Sequence, residues 1–135
     1  MSATASVLAA YGLYVLVLVI GVAVFRTQLV MTGQRRANSF APDCTDVSTF
    51  GQRLGRVHAN AYESFPWIAA PLLVALATDR TEVTDPLAWW LLAARLGQAI
   101  THLGSTRELA VYVRFAFMLA QVAIAANWAV RLLQG

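Results

Sequence analysis

The sequence predicts an all-α, transmembrane four-helix bundle, and three observations carry that expectation. Hydrophobic residues make up 59% of the 135-residue chain and charged residues only 13%, about half the charged share of ordinary soluble domains. Four long apolar segments alternate with short polar ones. The first charged side chain is Arg26, so the run from Ser2 to Phe25 is uncharged and long enough to cross a bilayer. A soluble chain this short must cover its core with polar surface, whereas apolar side chains in a bilayer face lipid.

The chain reads as a single membrane domain, 1–135, with helices at about 7–36, 50–77, 86–103 and 109–133. The first segment lacks the basic start of a signal peptide and reads as a retained helix. Its helical trend runs through Gln34-Arg35-Arg36 until Asn38 and Pro42 break it. Residues 38–50 form the longest polar loop. The second segment is amphipathic at first and apolar from Phe65 to Ala77, with kinks expected at Pro66 and Pro71. Asp85-Pro86 opens the third helix, and Gly104-Ser105-Thr106 closes it. The fourth runs from Leu109 to about Leu133.

Arginine placement sets the expected orientation. Arg26, Arg35, Arg36, Arg53, Arg56 and Arg107 lie in or near the loops on one side, which the positive-inside rule assigns to the cytoplasm. Both termini then lie opposite, where Trp89, Trp90 and Trp128 are expected to form an aromatic belt. A multi-pass membrane protein is the expected setting.

The net charge of +3 comes from ten arginines and no lysine, with no basic run, so nucleic-acid binding has no support. Cys44 is the only cysteine, which excludes an internal disulfide. Asp43 and Asp46 beside it disfavour a thiolate, and Cys44 reads as structural. No metal motif is present. A small proton-coupled exporter is disfavoured because Val7–Val30 contains no carboxylate.

The chemistry-bearing positions lie on the helices. Arg53, Arg56, Asn60 and Glu63 are spaced three, four and three apart, which places them in an arc of roughly 80° on one helix face. Arg95, Gln98 and His102 share an arc of roughly 60° on the third segment, and Arg114 and Gln121 are nearly aligned on the fourth. A charged side chain at the centre of a membrane helix costs about 2.5–3.5 kcal/mol on insertion scales. Stripes so costly are expected to face one another, with Glu63 paired to an arginine such as Arg95. Such a pair could serve only to fix helix register. The excess of arginine over carboxylate favours instead a bound anion. His58 lies off the stripe and reads as packing.

Arg53-x-x-Arg56-x-His58-x-Asn60-x-x-Glu63, followed by Ser64-Phe65-Pro66, resembles the second-helix signature of the MAPEG family, the membrane-associated proteins in eicosanoid and glutathione metabolism. Ala37-Asn38-Ser39-Phe40 resembles its bacterial branch, which implies a bacterial inner membrane. The resemblance implies a homotrimer, with glutathione as co-substrate folded between protomers near the cytoplasmic face. It implies that Asn60 and Glu63 hold the tripeptide, with Glu63 accepting its α-ammonium and Arg56 close by. By the same resemblance Arg35 or Arg36 reaches glutathione from the next subunit, and Arg95, Gln98 and His102 match third-helix positions of the site. Arg114 matches the arginine beside the thiol and is the expected catalytic residue.

The implied activity is that of a membrane-bound glutathione transferase or peroxidase acting on lipophilic electrophiles, with a guanidinium favouring the thiolate. The alternative is a non-catalytic membrane protein of the same fold that binds lipids or a partner. It draws on a departure from the family's prostaglandin synthases, whose fourth-helix serine and tyrosine are absent. Phe115, Phe117 and Met118 stand there, and Tyr112 lies on the other side of Arg114.

Overall fold

The computed structural model describes residues 1–135 and contains four helices and no strand. Helix α1 spans Ala3–Met31, α2 Thr49–Ala77, α3 Asp85–Gly104 and α4 Glu108–Leu133, with a 3₁₀ turn at Thr81–Val83 before α3.

Each boundary has a local cause. The Ser2 hydroxyl accepts the Ala5 N–H at 3.2 Å and caps α1. The Thr4 N–H and hydroxyl donate to Asp85 Oδ1 at 2.7 and 2.6 Å, fastening the start of α1 to the start of α3. Helix α1 ends at Met31, short of the expected continuation to 36. Gly33 takes a φ of +73°, the left-handed turn that stops helices, and the Gln34 N–H closes back on the Leu29 carbonyl at 3.0 Å. Arg35 and Arg36 therefore belong to the loop. Ser48 caps α2 through the Gly51 N–H at 3.3 Å, and α2 runs unbroken past Pro66 and Pro71. Arg80 donates to the carbonyls of Leu132 and Arg131 at 2.9 and 3.1 Å, which satisfies the open C-terminal end of α4.

Helix α1 packs mainly on α2, and α3 mainly on α4. Toward the termini an apolar cluster joins Val7, Tyr11, Ile68, Leu72, Leu91 and Trp128. Toward the α1–α2 loop a smaller cluster joins Leu18, Val57, Ala61 and Ala99. Along α2, α3 and α4 the buried polar residues fall between these clusters or beside the second. Trp128 departs from the expected aromatic belt. It is 0% exposed and packs into the larger cluster, whereas Trp89 and Trp90 are exposed.

Only 26 of 135 residues are buried, and large apolar side chains such as Leu13, Val17, Ile20, Leu119 and Val122 lie bare on the outer faces of α1 and α4. Surface of that kind is suited to hydrocarbon or to further protein, not to water. Helices α1 and α4 are each long and apolar enough to cross a membrane, with mean hydropathies of 2.6 and 1.9 over their best windows. Helices α2 and α3 fall short of that criterion because they carry the polar stripes.

Candidate functional site

Three helices meet around one guanidinium. Arg95 is 2% exposed, too deep for water to solvate it, and each of its terminal nitrogens finds an amide oxygen. Its Nη2 donates to Asn60 Oδ1 of α2 at 2.6 Å. Its Nη1 donates to Gln98 Oε1, one turn along α3, at 3.1 Å and to Gln121 Oε1 of α4 at 3.2 Å. Gln121 in turn donates from Nε2 to Gln98 Oε1 and to the Phe117 carbonyl, both at 2.9 Å. The Tyr14 hydroxyl of α1 is buried beside the same guanidinium, outside hydrogen-bonding geometry. In α2, Ser64 donates its hydroxyl to the Asn60 carbonyl, a back-bond that bends a helix locally.

This layer forms the floor of an open cleft of about 240 Å³ lined by Asn60, Gln98, His102 and Arg114, with Val111, Phe115 and Met118 as its apolar wall. Arg114 makes no salt bridge, the chain's one such pair lying in the loop. His102 lies within electrostatic reach of Arg114, Arg56 and Arg95. The cleft therefore gathers excess positive charge with no carboxylate in its lining.

The expected pairing of Glu63 with Arg95 is not what the structure shows. Glu63 is exposed and forms no salt bridge; it lies about 60° around α2 from Asn60. Asn60 takes the place beside Arg95 instead. Arg56 is also exposed and lines a second cleft, of about 530 Å³, between α1, the loop and α2, together with Arg26, Cys44 and His58. Of the residues singled out by sequence, Asn60, Gln98, His102 and Arg114 are thus brought together, with Arg95 directly behind them. Arg56 lies outside the cleft lining but within electrostatic reach of His102, and Glu63 stands apart.

Arg35 and Arg36 separate in role. Arg35 donates to the Ser39 hydroxyl and carbonyl and to the Asp46 carbonyl, forms a salt bridge with the Asp46 carboxylate, and stacks over Phe40 at 5.1 Å. Its donors are committed to closing the loop. That guanidinium, with the Ala41 N–H second, holds the Asp46 carboxyl below the usual carboxylate range. Arg36 is exposed, and its side chain has no partner within the chain.

Two contributors were not legible as site residues. Gln121 was visible only as a polar position aligned with Arg114, and nothing in its spacing signals that it bonds Arg95 and Gln98 together. Arg26 anchors the loop from α1, donating to the Ala41 carbonyl at 3.0 Å and to Cys44 Sγ at 3.2 Å. Cys44 is buried against α2 where Gly55 leaves room; a Cβ there would sit 2.7 Å from its sulfur.

The MAPEG family model matches residues 4–133 of the chain. No individual curated protein matches it.

Proposed function

This chain belongs to the MAPEG family, membrane proteins of the glutathione and eicosanoid metabolism type, and from that premise we propose that it binds glutathione and activates its thiol. The observation that carries the reading is the cleft in which Asn60, Gln98, His102 and Arg114 converge over the buried Arg95 cation. Uncompensated positive charge in a low-dielectric setting favours an anionic guest. Glutathione supplies two carboxylates and a thiol that ionises.

In this reading Arg114 faces the sulfur. Its guanidinium favours thiolate over thiol, the S–H proton passes to water, and the sulfur lone pair forms a bond to an electrophilic carbon as the leaving group departs with its bonding pair. The electrophile is lipophilic and enters along the apolar wall of Val111, Phe115 and Met118. Glu63 and Arg36, both exposed and unpaired in one protomer, are assigned to a site completed by a second copy in a homotrimer. Glu63 accepts the α-ammonium, and Arg36, rather than the loop-bound Arg35, reaches across. All four helices lie in a bacterial inner membrane, with the site near the cytoplasmic face and both termini opposite.

A second reading, a non-catalytic lipid- or partner-binding protein, rests on one observation. The wall next to Arg114 offers no hydroxyl, and Tyr112 is exposed with its hydroxyl turned to Glu108 at 3.3 Å. Titration of glutathione into the detergent-solubilised protein, read by thiolate absorbance in the ultraviolet, separates the two. The enzyme reading expects saturable thiolate formation that drops on the order of 100-fold in Arg114→Ala, the scale seen when one charge-stabilising donor is removed, while binding persists. Absence of any glutathione binding supports the second reading.

A further inference from the structure

We infer that Arg95 and Gln121 are positioning residues that fix the hydrogen-bond polarity of the cleft, so that the ligand group seated on Asn60 and Gln98 must be a pure acceptor, a carboxylate. The inference deepens the glutathione reading and rests on it for the identity of the ligand, though not for the chemistry of the group received.

A guanidinium carries five N–H donors and no acceptor. Any amide that meets it must therefore turn its oxygen inward. Asn60 Oδ1 is held by Arg95 Nη2 at 2.6 Å. Gln98 Oε1 is held twice, by Arg95 Nη1 at 3.1 Å and by Gln121 Nε2 at 2.9 Å. Flipping either amide would set an NH2 group against N–H donors and leave a buried donor unpaired. Gln121 locks the arrangement. It is 0% exposed, its Oε1 is taken by Arg95, and both protons of its Nε2 are spent, on Gln98 and on the Phe117 carbonyl.

What remains free is set by elimination. The Asn60 Nδ2 and Gln98 Nε2 groups have no partner within the chain, and both residues line the cleft beside Arg114. The cleft thus presents the NH2 groups of Asn60 and Gln98 beside the Arg114 guanidinium, all donors, and His102 is its one lining side chain with a nitrogen able to accept. A carboxylate oxygen satisfies the two amides, whereas an ammonium or a primary-amide NH2 set on Asn60 and Gln98 meets only protons, since the oxygens of both amides are already held by Arg95. Neither Arg95 nor Gln121 appears in the cleft lining; both act through the amides they orient.

The test uses isosteric exchange. Gln98→Glu keeps an oxygen on Arg95 and replaces only the outward NH2 by oxygen. Binding is measured by calorimetry on the solubilised full-length protein, with glutathione, and separately with hexanoate against hexanamide as a pair that owes nothing to glutathione chemistry. Wild type is expected to prefer hexanoate to hexanamide. Gln98→Glu is expected to lose affinity for glutathione and hexanoate on the order of 10- to 100-fold, the range for a charge-assisted hydrogen bond turned repulsive, with its thermal midpoint unchanged or raised. Gln121→Met should shrink the acid-over-amide preference of wild type toward unity, a readout that simple loosening of the fold would not move. If Gln98→Glu is folded and binds hexanoate as wild type does, or if wild type binds hexanamide equally well or binds neither probe, the inference is overturned. Failure of glutathione alone to bind, with the hexanoate preference intact and lost in Gln98→Glu, overturns the glutathione reading and leaves the polarity assignment standing.

Discussion

Arg95 has exchanged water for three neutral amide oxygens, and that choice explains much of the site. Neutral acceptors pair its two terminal nitrogens, with Nε left unpaired, and do not cancel its charge, so the field of the guanidinium extends into the adjoining cleft. Removing the side chain strands Asn60 Oδ1 and Gln121 Oε1, while Gln98 Oε1 keeps its bond from Gln121 Nε2; each unpaired acceptor costs about 1–3 kcal/mol. Arg95→Leu is therefore expected to destabilise the protein by roughly 3 kcal/mol or more, read as a lowered melting temperature in detergent. Adding Asn60→Leu should recover part of that loss, because the Asn60 side chain bonds only Arg95 and its removal strands nothing else. If Arg95→Leu melts at the wild-type temperature, the amide layer is not what holds these helices in register. The helical period was enough to place Asn60 on one stripe and Arg95 with Gln98 on another, since cost and spacing are both written in the sequence. It could not tell which member of the α2 stripe would meet Arg95. Asn60 and Glu63 differ by about 60° in azimuth, and the rotation of α2 against α3 is decided by packing of Val57, Ala61, Ile68 and their neighbours.

At the scale of elements, the α1–α2 loop is held by charged side chains whose contacts with one another the sequence did not reveal. Gly33 turns the chain out of α1, Arg35 ties Ser39 to Asp46, and Arg26 reaches up from the helix to Ala41 and Cys44. The Asp46 carboxyl, lowered chiefly by Arg35, titrates below its unfolded value. Its contribution to loop order is then fully present above the ordinary carboxylate range and is lost as pH falls through the depressed folded value. Hydrogen exchange at residues 39–46 is expected to stay slow from neutral pH down to that range and to quicken below it, after correction for intrinsic rates. Asp46→Asn should exchange fast already at neutral pH, and equal protection in the variant would show that the clasp contributes nothing. Helix α1 was expected to keep its helical trend through Gln34-Arg35-Arg36 until Asn38 and Pro42 break it. A single left-handed glycine outweighs that propensity, and it decides which of the two arginines is free.

For the whole molecule, the bare apolar faces of α1 and α4 and the isolated Glu63 and Arg36 ask for surroundings that one protomer does not supply. Hydrocarbon covers the first. Under the proposed homotrimer a second copy brings Arg36 to the Arg114 cleft of its neighbour and answers the second, and such a division of one site between chains makes a quantitative demand. Arg36→Ala and Arg114→Ala protomers, each inactive alone, are mixed in equal amounts by co-expression. In a closed ring with head-to-tail contacts, a site works when its Arg114 comes from an Arg36→Ala chain and its Arg36 from an Arg114→Ala chain. Random assembly satisfies both conditions at about a quarter of the sites, so thiolate formation should return to about a quarter of the wild-type level. Were both arginines to serve the cleft of their own chain, every site in the mixture would lack one of them and no activity would return. A native mass of three protomers alongside restored thiolate absorbance supports the shared site. A trimer without restoration would keep the assembly but confine the chemistry to single chains, with Arg36 serving the cleft of its own protomer.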